Sequence, residues 1–99
     1  MWWNKKEEEP KKEYVEVEVE VKLHSAEEVW SFKSTELKGV ETLKHKKFLK
    51  EVDRLLKWWE IPEKGDYFVF NTTDKVSSVG FERTNVEYIW KKSPTVFLR

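Results

Sequence analysis

Cysteine and glutamine are absent from this 99-residue chain, methionine occurs once, and glycine and proline occur three times each. Without cysteine there is no disulfide, no thiolate nucleophile and no Cys-ligated zinc, a composition that fits a reducing compartment. The three glycines stand alone at positions 39, 65 and 80, so no glycine-rich loop is available to cradle a phosphate, and no cofactor motif is evident. No apolar run approaches the roughly 18–20 residues of a membrane span. Met1-Trp2-Trp3 is followed at once by Asn4-Lys5-Lys6-Glu7, which leaves no room for the apolar region of a secretion signal. We therefore expect an intracellular protein with no membrane partner. A surplus of either charge is also missing: Lys plus Arg and Asp plus Glu both number 19. No global field draws the chain toward nucleic acid or acidic membranes, and any electrostatic function has to be local.

What is present is charge of a particular kind. Sixteen of the basic residues are Lys and sixteen of the acidic residues are Glu. Abundant Lys and Glu with few thermolabile side chains is the pattern of hyperthermophilic proteins, because the desolvation cost of ion pairs falls as temperature rises. It points to a thermostable protein from a thermophilic source, although a Lys/Glu-rich mesophilic or engineered chain has the same composition. The apolar fraction is 38%, lean in aliphatic residues, but six Trp, six Phe and three Tyr compensate, so the core is expected to be aromatic. A chain of this length builds one hydrophobic core and not two, hence a single domain.

Residues 1–13 combine blocks of like charge with a proline and no periodicity, the composition of a mobile tail ahead of a domain over 14–99. Trp2 and Trp3 are the exception within it: they either dock on the body or a second subunit, or serve as a handle for a partner. Tyr14 to Leu23 alternates, with Val15, Val17, Val19, Val21 and Leu23 on one side and Glu16, Glu18, Glu20 and Lys22 on the other, which predicts a half-buried strand. A second strand over about Val29 to Lys38 pairs with it through a turn at His24-Ser25-Ala26-Glu27. The register that sets Val21 opposite Trp30 also sets Val19 opposite Phe32 and Glu18 opposite Lys33, so hydrophobic pattern and charge agree on one hairpin.

Gly39 ends that strand, and Glu41 to Glu60 carries helical periodicity, with Phe48, Leu49, Val52, Leu55, Leu56 and Trp59 in one stripe, until Ile61-Pro62 and Gly65 stop it. Three short β-prone segments follow, Tyr67–Asn71, Val76–Glu82 and Val86–Lys91, and Pro94 interrupts a last apolar stretch, Thr95–Leu98. The predicted fold is α+β: an antiparallel sheet of about five strands in β-β-α-β-β-β order, covered on one face by a single long helix.

Catalysis of proton transfer or nucleophilic attack needs a poised His, a Cys or carboxylates held apart in pKa, and this chain offers little of that. His24 falls in the hairpin turn and reads as an exposed turn residue. His45 lies on the apolar side of the helix one turn after Glu41, a spacing that can place two metal ligands on one face, but with no third ligand evident we expect no metal. Asn71-Thr72-Thr73 matches a glycosylation sequon, which has no meaning inside a cell. Two charged asymmetries remain. Projected around the helix, Lys46, Lys47, Lys50, Arg54 and Lys57 fall within roughly a third of the circumference opposite Val52, either a solvated helix back or a face for anions or nucleic acid. Glu16, Glu18 and Glu20 form an acidic ladder on the polar side of the first strand, either solvated or engaging a basic protein surface. The later strands carry apolar residues in both alternation phases, Tyr67 and Val69 against Phe68 and Phe70, and Tyr88 and Trp90 against Ile89. One helix cannot hide both faces, which predicts a homodimer burying some of these residues or the tail tryptophans.

The Lys/Glu-rich chain lacking Gln and Cys, the short charged tail, the Val-Glu-Val-Glu-Val strand and the many Trp together resemble the small orphan proteins of hyperthermophilic archaeal viruses, the filamentous and rod-shaped ones in particular. The resemblance is one of style and length over the whole chain and carries over no functional residue. It implies a protein made in the host cytoplasm, with a role in takeover, counter-defence or virus assembly rather than metabolism. The expected function is non-enzymatic binding of a host or viral protein. The alternative is weak, sequence-independent nucleic-acid binding through the basic helix face.

Overall fold

A computed structural model describes residues 11–72 and 77–99 of the chain. Its elements are β1 (Glu13–Leu23), β2 (Val29–Leu37), α1 (Leu43–Glu60), β3 (Tyr67–Asn71), β4 (Ser78–Glu82), β5 (Val86–Lys91) and β6 (Thr95–Leu98). The protein is α+β, with antiparallel strands and, among the described residues, one helix longer than a single turn. The strands divide between a four-stranded sheet and a separate β3–β4 hairpin.

β1 is the spine of the larger sheet. It pairs with β2 in the register read from the sequence, Val21 opposite Trp30, Val19 opposite Phe32 and Glu18 opposite Lys33. Its other edge is shared by two strands in line, β5 along Val19–Leu23 and β6 along Glu13–Glu16. Between them Lys92, Ser93 and Pro94 face only Val17 and Glu18 of β1, an extra residue in the register at a proline that cannot donate to the ladder. The Lys92 amide still reaches the Glu18 carbonyl at 3.0 Å, so the edge is bent and not broken. An extra residue moves every following side chain to the other face. Ile89 therefore lies on the valine side opposite Val21, whereas Phe97 lies on the glutamate side, stacked on Tyr14 at 5.9 Å. Glu13 belongs to β1, and Lys12 exchanges backbone hydrogen bonds with Arg99 (3.2 and 3.0 Å), so the ordered body begins before position 14. Trp2 and Trp3 lie outside the described residues.

The valine face carries the core. Val17, Val19 and Val21 meet Phe48, Val52, Leu55 and Trp58 of α1, Phe68, Phe70 and Phe81 of the β3–β4 hairpin, and Val86. The core is aromatic as the composition suggests: Phe70 stacks on Phe32 at 4.4 Å and meets Phe48 edge-on. Thr42, not Glu41, sets the start of the helix, since its hydroxyl accepts the His45 amide at 3.2 Å. The buried stripe is rotated from the expected one. His45 and Trp58 are buried, Trp59 and Leu56 are only partly so, and Leu49 is 37% exposed. Because helix and hairpin share the sheet's valine face, the helix presents the line His45–Phe48–Val52–Leu55–Trp58 to both.

The end of α1 is held from a distance. Arg83, which follows β4, sends its guanidinium to the carbonyls of Trp58 (2.6 Å), Trp59 (3.1 Å), Ile61 (3.3 Å) and Gly65 (2.7 and 3.1 Å) while lying 4.5 Å over the Trp58 ring. A cation on the unpaired carbonyls of a helix C-terminus satisfies them and complements the macrodipole.

Candidate functional site

The basic residues of the helix do not form an open stripe. Lys46 is paired to Glu41 at 3.1 Å and Lys57 to Asp53 at 3.1 Å. Arg54 grips Glu51 through two hydrogen bonds (2.9 and 3.0 Å), donates to the Val69 carbonyl at 2.9 Å and covers the Phe68 ring at 4.5 Å. Glu51 in turn accepts the Asn71 amide at 2.7 Å. Arg54 is thus a tie between α1 and β3 and not the freely solvated side chain its position on the helix back suggests. Burial pushes the Glu51 carboxyl up, but its hydrogen bonds to Arg54 and Asn71 and the guanidinium's charge outweigh that and hold it below the usual carboxylate range. Lys47 and Lys50 are, among the described residues, the two of the five that no ion pair holds.

The acidic ladder has become part of a mixed surface on the sheet face opposite the core. Thr35 donates to Glu16 at 3.3 Å, and Ser31 donates to Glu18. Lys92, opposite Glu18 in the register of β5, stands between Glu18 (3.4 Å) and Glu20 (3.3 Å), and Tyr88 donates its hydroxyl to Glu20 at 2.7 Å. The Ser31 hydrogen bond and the Lys92 ammonium hold Glu18 below its usual pKa against a smaller cost of burial. The Glu20 hydrogen bond raises both Tyr88 and Lys92, each of which keeps its proton the more firmly for it. Trp90 rises beside this network 54% exposed, with the Lys92 ammonium 5.0 Å from its ring. At the far end of the face Arg99 lies 4.8 Å over Tyr14. Among the described residues nothing covers this face, so the ladder, Tyr88 and Trp90 are brought together, while Lys92 is a member that the sequence alone did not suggest. Its place depends on β5 crossing back to β1 in this register, which no local pattern announces.

A second concavity was also not foreseen. A pocket of about 380 Å³ opens between β2 and the first turn of α1, lined by Ser31 to Thr35, Thr42, Lys44, His45, Phe48, Phe70 and Thr72. In its wall His45 is 4% exposed, with Nδ1 2.9 Å from the Ser34 hydroxyl and Nε2 3.8 Å from Glu36. Glu36 is fixed by accepting the amide (3.0 Å) and hydroxyl (3.2 Å) of Thr42. Glu41 and His45 do not meet: Glu41 precedes the helix and reaches out to Lys46, and His45 turns inward. No group of three or more His, Cys, Asp or Glu able to hold a metal occurs among the described residues. His24 sits in the turn as expected, its amide bonded to the Asn85 carbonyl at 2.7 Å. No helix among the described residues is long and apolar enough to cross a membrane.

No family model, no curated protein and no solved structure matches the chain.

Proposed function

We propose that this is a non-enzymatic binding protein that contacts another protein, of host or viral origin inside the cell, through the open face of its four-stranded sheet. The observation that carries the reading is Trp90, an amphipathic ring 54% exposed at the edge of an ordered network of Glu18, Glu20, Tyr88 and Lys92. Aromatic residues held in place by neighbours lose little entropy on association and make most of the energy of many interfaces. The acids are already satisfied, so burying them costs less than burying bare carboxylates. Affinity capture from the source cell, run beside Trp90→Ser and Tyr88→Ser, is expected to retain one partner with the wild type and lose it with both variants. Equal retention by all three removes the open face from the interaction. A second copy of the chain is another occupant of the same face, as a two-fold dimer, and sedimentation of a monomer at all concentrations above micromolar would exclude it.

The alternative, nucleic acid on the helix back, is supported by Lys47 and Lys50, which project without ion-pair partners among the described residues. It is weakened by Glu41, Glu51 and Asp53, which break the stripe.

A further inference from the structure

We propose that Ser34 is a nucleophilic serine, activated by His45 and Glu36, that accepts the acyl group of a small apolar ester bound in the pocket between β2 and the first turn of α1. Ser34 lies on the core side of β2 opposite Val17, 8% exposed, and lines that cavity of about 380 Å³. Its hydroxyl is 2.9 Å from His45 Nδ1, and the other ring nitrogen, Nε2, stands 3.8 Å from Glu36 Oε1. A carboxylate can only accept a proton's hydrogen bond, so the ring proton belongs on Nε2, facing Glu36. Nδ1 is then the acceptor, and the Ser34 proton is directed at it. Glu36 is not among the lining residues, and the amide and hydroxyl of Thr42 fix it behind the imidazole. Hydroxyl, imidazole and carboxylate therefore run from the cavity into its wall in the order that nucleophile, base and orienting group require. The contact from His45 to Glu36 is longer than a hydrogen bond, as such contacts commonly are before a substrate is bound.

The rest of the cavity sets the substrate. Phe48 and Phe70 meet edge-on and Phe32 stacks on Phe70, which gives the acyl chain an apolar seat. No carboxylate lines the cavity, and the start of the 18-residue α1 opens on it through Thr42, Lys44 and His45. The helix field and the Lys44 ammonium thus favour the negative charge that grows on the ester's carbonyl oxygen. Ser34 Oγ bonds to the carbonyl carbon and its proton passes to Nδ1. The tetrahedral oxyanion then collapses with cleavage of the bond to the alcohol oxygen, which leaves with the proton from Nδ1. One ester is consumed, Ser34 is left as its acyl ester, one alcohol is released, and no other reactant takes part. The step is one stoichiometric acylation and not turnover. It is independent of the open face, since Trp90 lies on the glutamate side of the sheet opposite Glu20.

The test is incubation of the full chain with p-nitrophenyl butyrate, following release of p-nitrophenolate by absorbance and locating the butyryl group by peptide mass mapping. One equivalent is expected on Ser34, faster than on any lysine, and none on Ser34 when the chain is unfolded in urea. His45→Gln is expected to slow labelling of Ser34 at least roughly 100-fold. Glu36→Gln, whose amide oxygen still accepts from Thr42, is expected to slow it at least roughly tenfold, and Trp90→Ser to leave it unchanged. Circular dichroism melts establish that the variants are folded at the assay temperature; if His45→Gln is not, Glu36→Gln and the urea control decide. Butyryl groups on lysines alone, equal labelling of Ser34 in the folded and unfolded chain, or an undiminished rate in Glu36→Gln or in folded His45→Gln overturns the proposal. So does loss of labelling in Trp90→Ser, which would tie the reaction to the open face.

Discussion

Replacing Arg83 by Met removes one guanidinium from four backbone carbonyls and leaves a side chain of similar reach. The carbonyls of Trp58 and Trp59 belong to the last turn of α1 and have no partner within the helix; those of Ile61 and Gly65 lie in the turn beyond it. Each hydrogen bond to a charged donor contributes about 1.5–3 kcal/mol when the acceptor is otherwise unpaired. Adding all of them overstates the loss, because Nη2 is shared among three carbonyls and the side chain is only half-buried, so water replaces part of what is removed. Two fully formed bonds at the lower end give about 3 kcal/mol, to which the stacking on Trp58 adds about 0.5–1 kcal/mol. For a domain of this size a total of about 3.5–4 kcal/mol lowers the melting temperature by roughly 14–32 °C. Arg83→Lys keeps the charge but not the planar fork, and is expected to lose about half as much. Urea unfolding followed by circular dichroism and by tryptophan emission, with Trp58 as the near reporter, measures both variants. A loss below about 1 kcal/mol for Arg83→Met would mean that water serves these carbonyls as well as the guanidinium does, and the account of the helix end would be wrong.

The tie between α1 and β3 makes Arg54→Glu destabilising by about 1 kcal/mol in thermal unfolding, where a purely solvated Arg54 predicts no change. Glu51 titrates lower in the folded chain than in the unfolded one, so its contribution is fully present above the unfolded value of about 4.3 and fades as the pH falls through the lower folded value. Glu51→Gln is therefore expected to be less stable than the wild type at pH 7 and to lose less stability on acidification; parallel stability curves from pH 7 to pH 2 would refute this. Ser34→Ala leaves the buried His45 Nδ1 without its partner and is expected to cost about 1–3 kcal/mol in urea unfolding, while Ser31→Ala on the open face costs well under that. If nucleic acid binds through Lys47 and Lys50 alone, the slope of log affinity against log salt on duplex DNA is about −2, and a slope near −4.5 would restore the full five-residue stripe.

The features legible in the sequence are those whose cause is local. Strict alternation from Val15 to Leu23 can only be satisfied by a strand with one buried side, and a turn of a few residues lets two neighbouring patterns settle their own register, so the β1–β2 pairing follows from the residues that make it. The helix and its C-terminal end follow in the same way from period and from Ile61-Pro62, whereas its start is set by the Thr42 cap and not at Glu41. Tertiary structure decided what depends on partners distant in the chain. Which line of α1 is buried was set by the hairpin sharing the sheet's face, and this exchanged Trp59 for Trp58 as the most buried tryptophan of the helix. Arg54 and Arg83 look alike in sequence, as basic residues in polar surroundings, until β3 and the helix end arrive beside them with unpaired carbonyls. The candidate surfaces are of this second kind. Lys92 reaches Glu18 and Glu20 because the antiparallel register of β5 on β1 carries it onto the glutamate face opposite Glu18, and Ser34 reaches His45 because helix and strand cross there. Hydrogen bonds and ion pairs depend on distance in space, and a chain of residues specifies that distance only after the hydrophobic pattern has folded it.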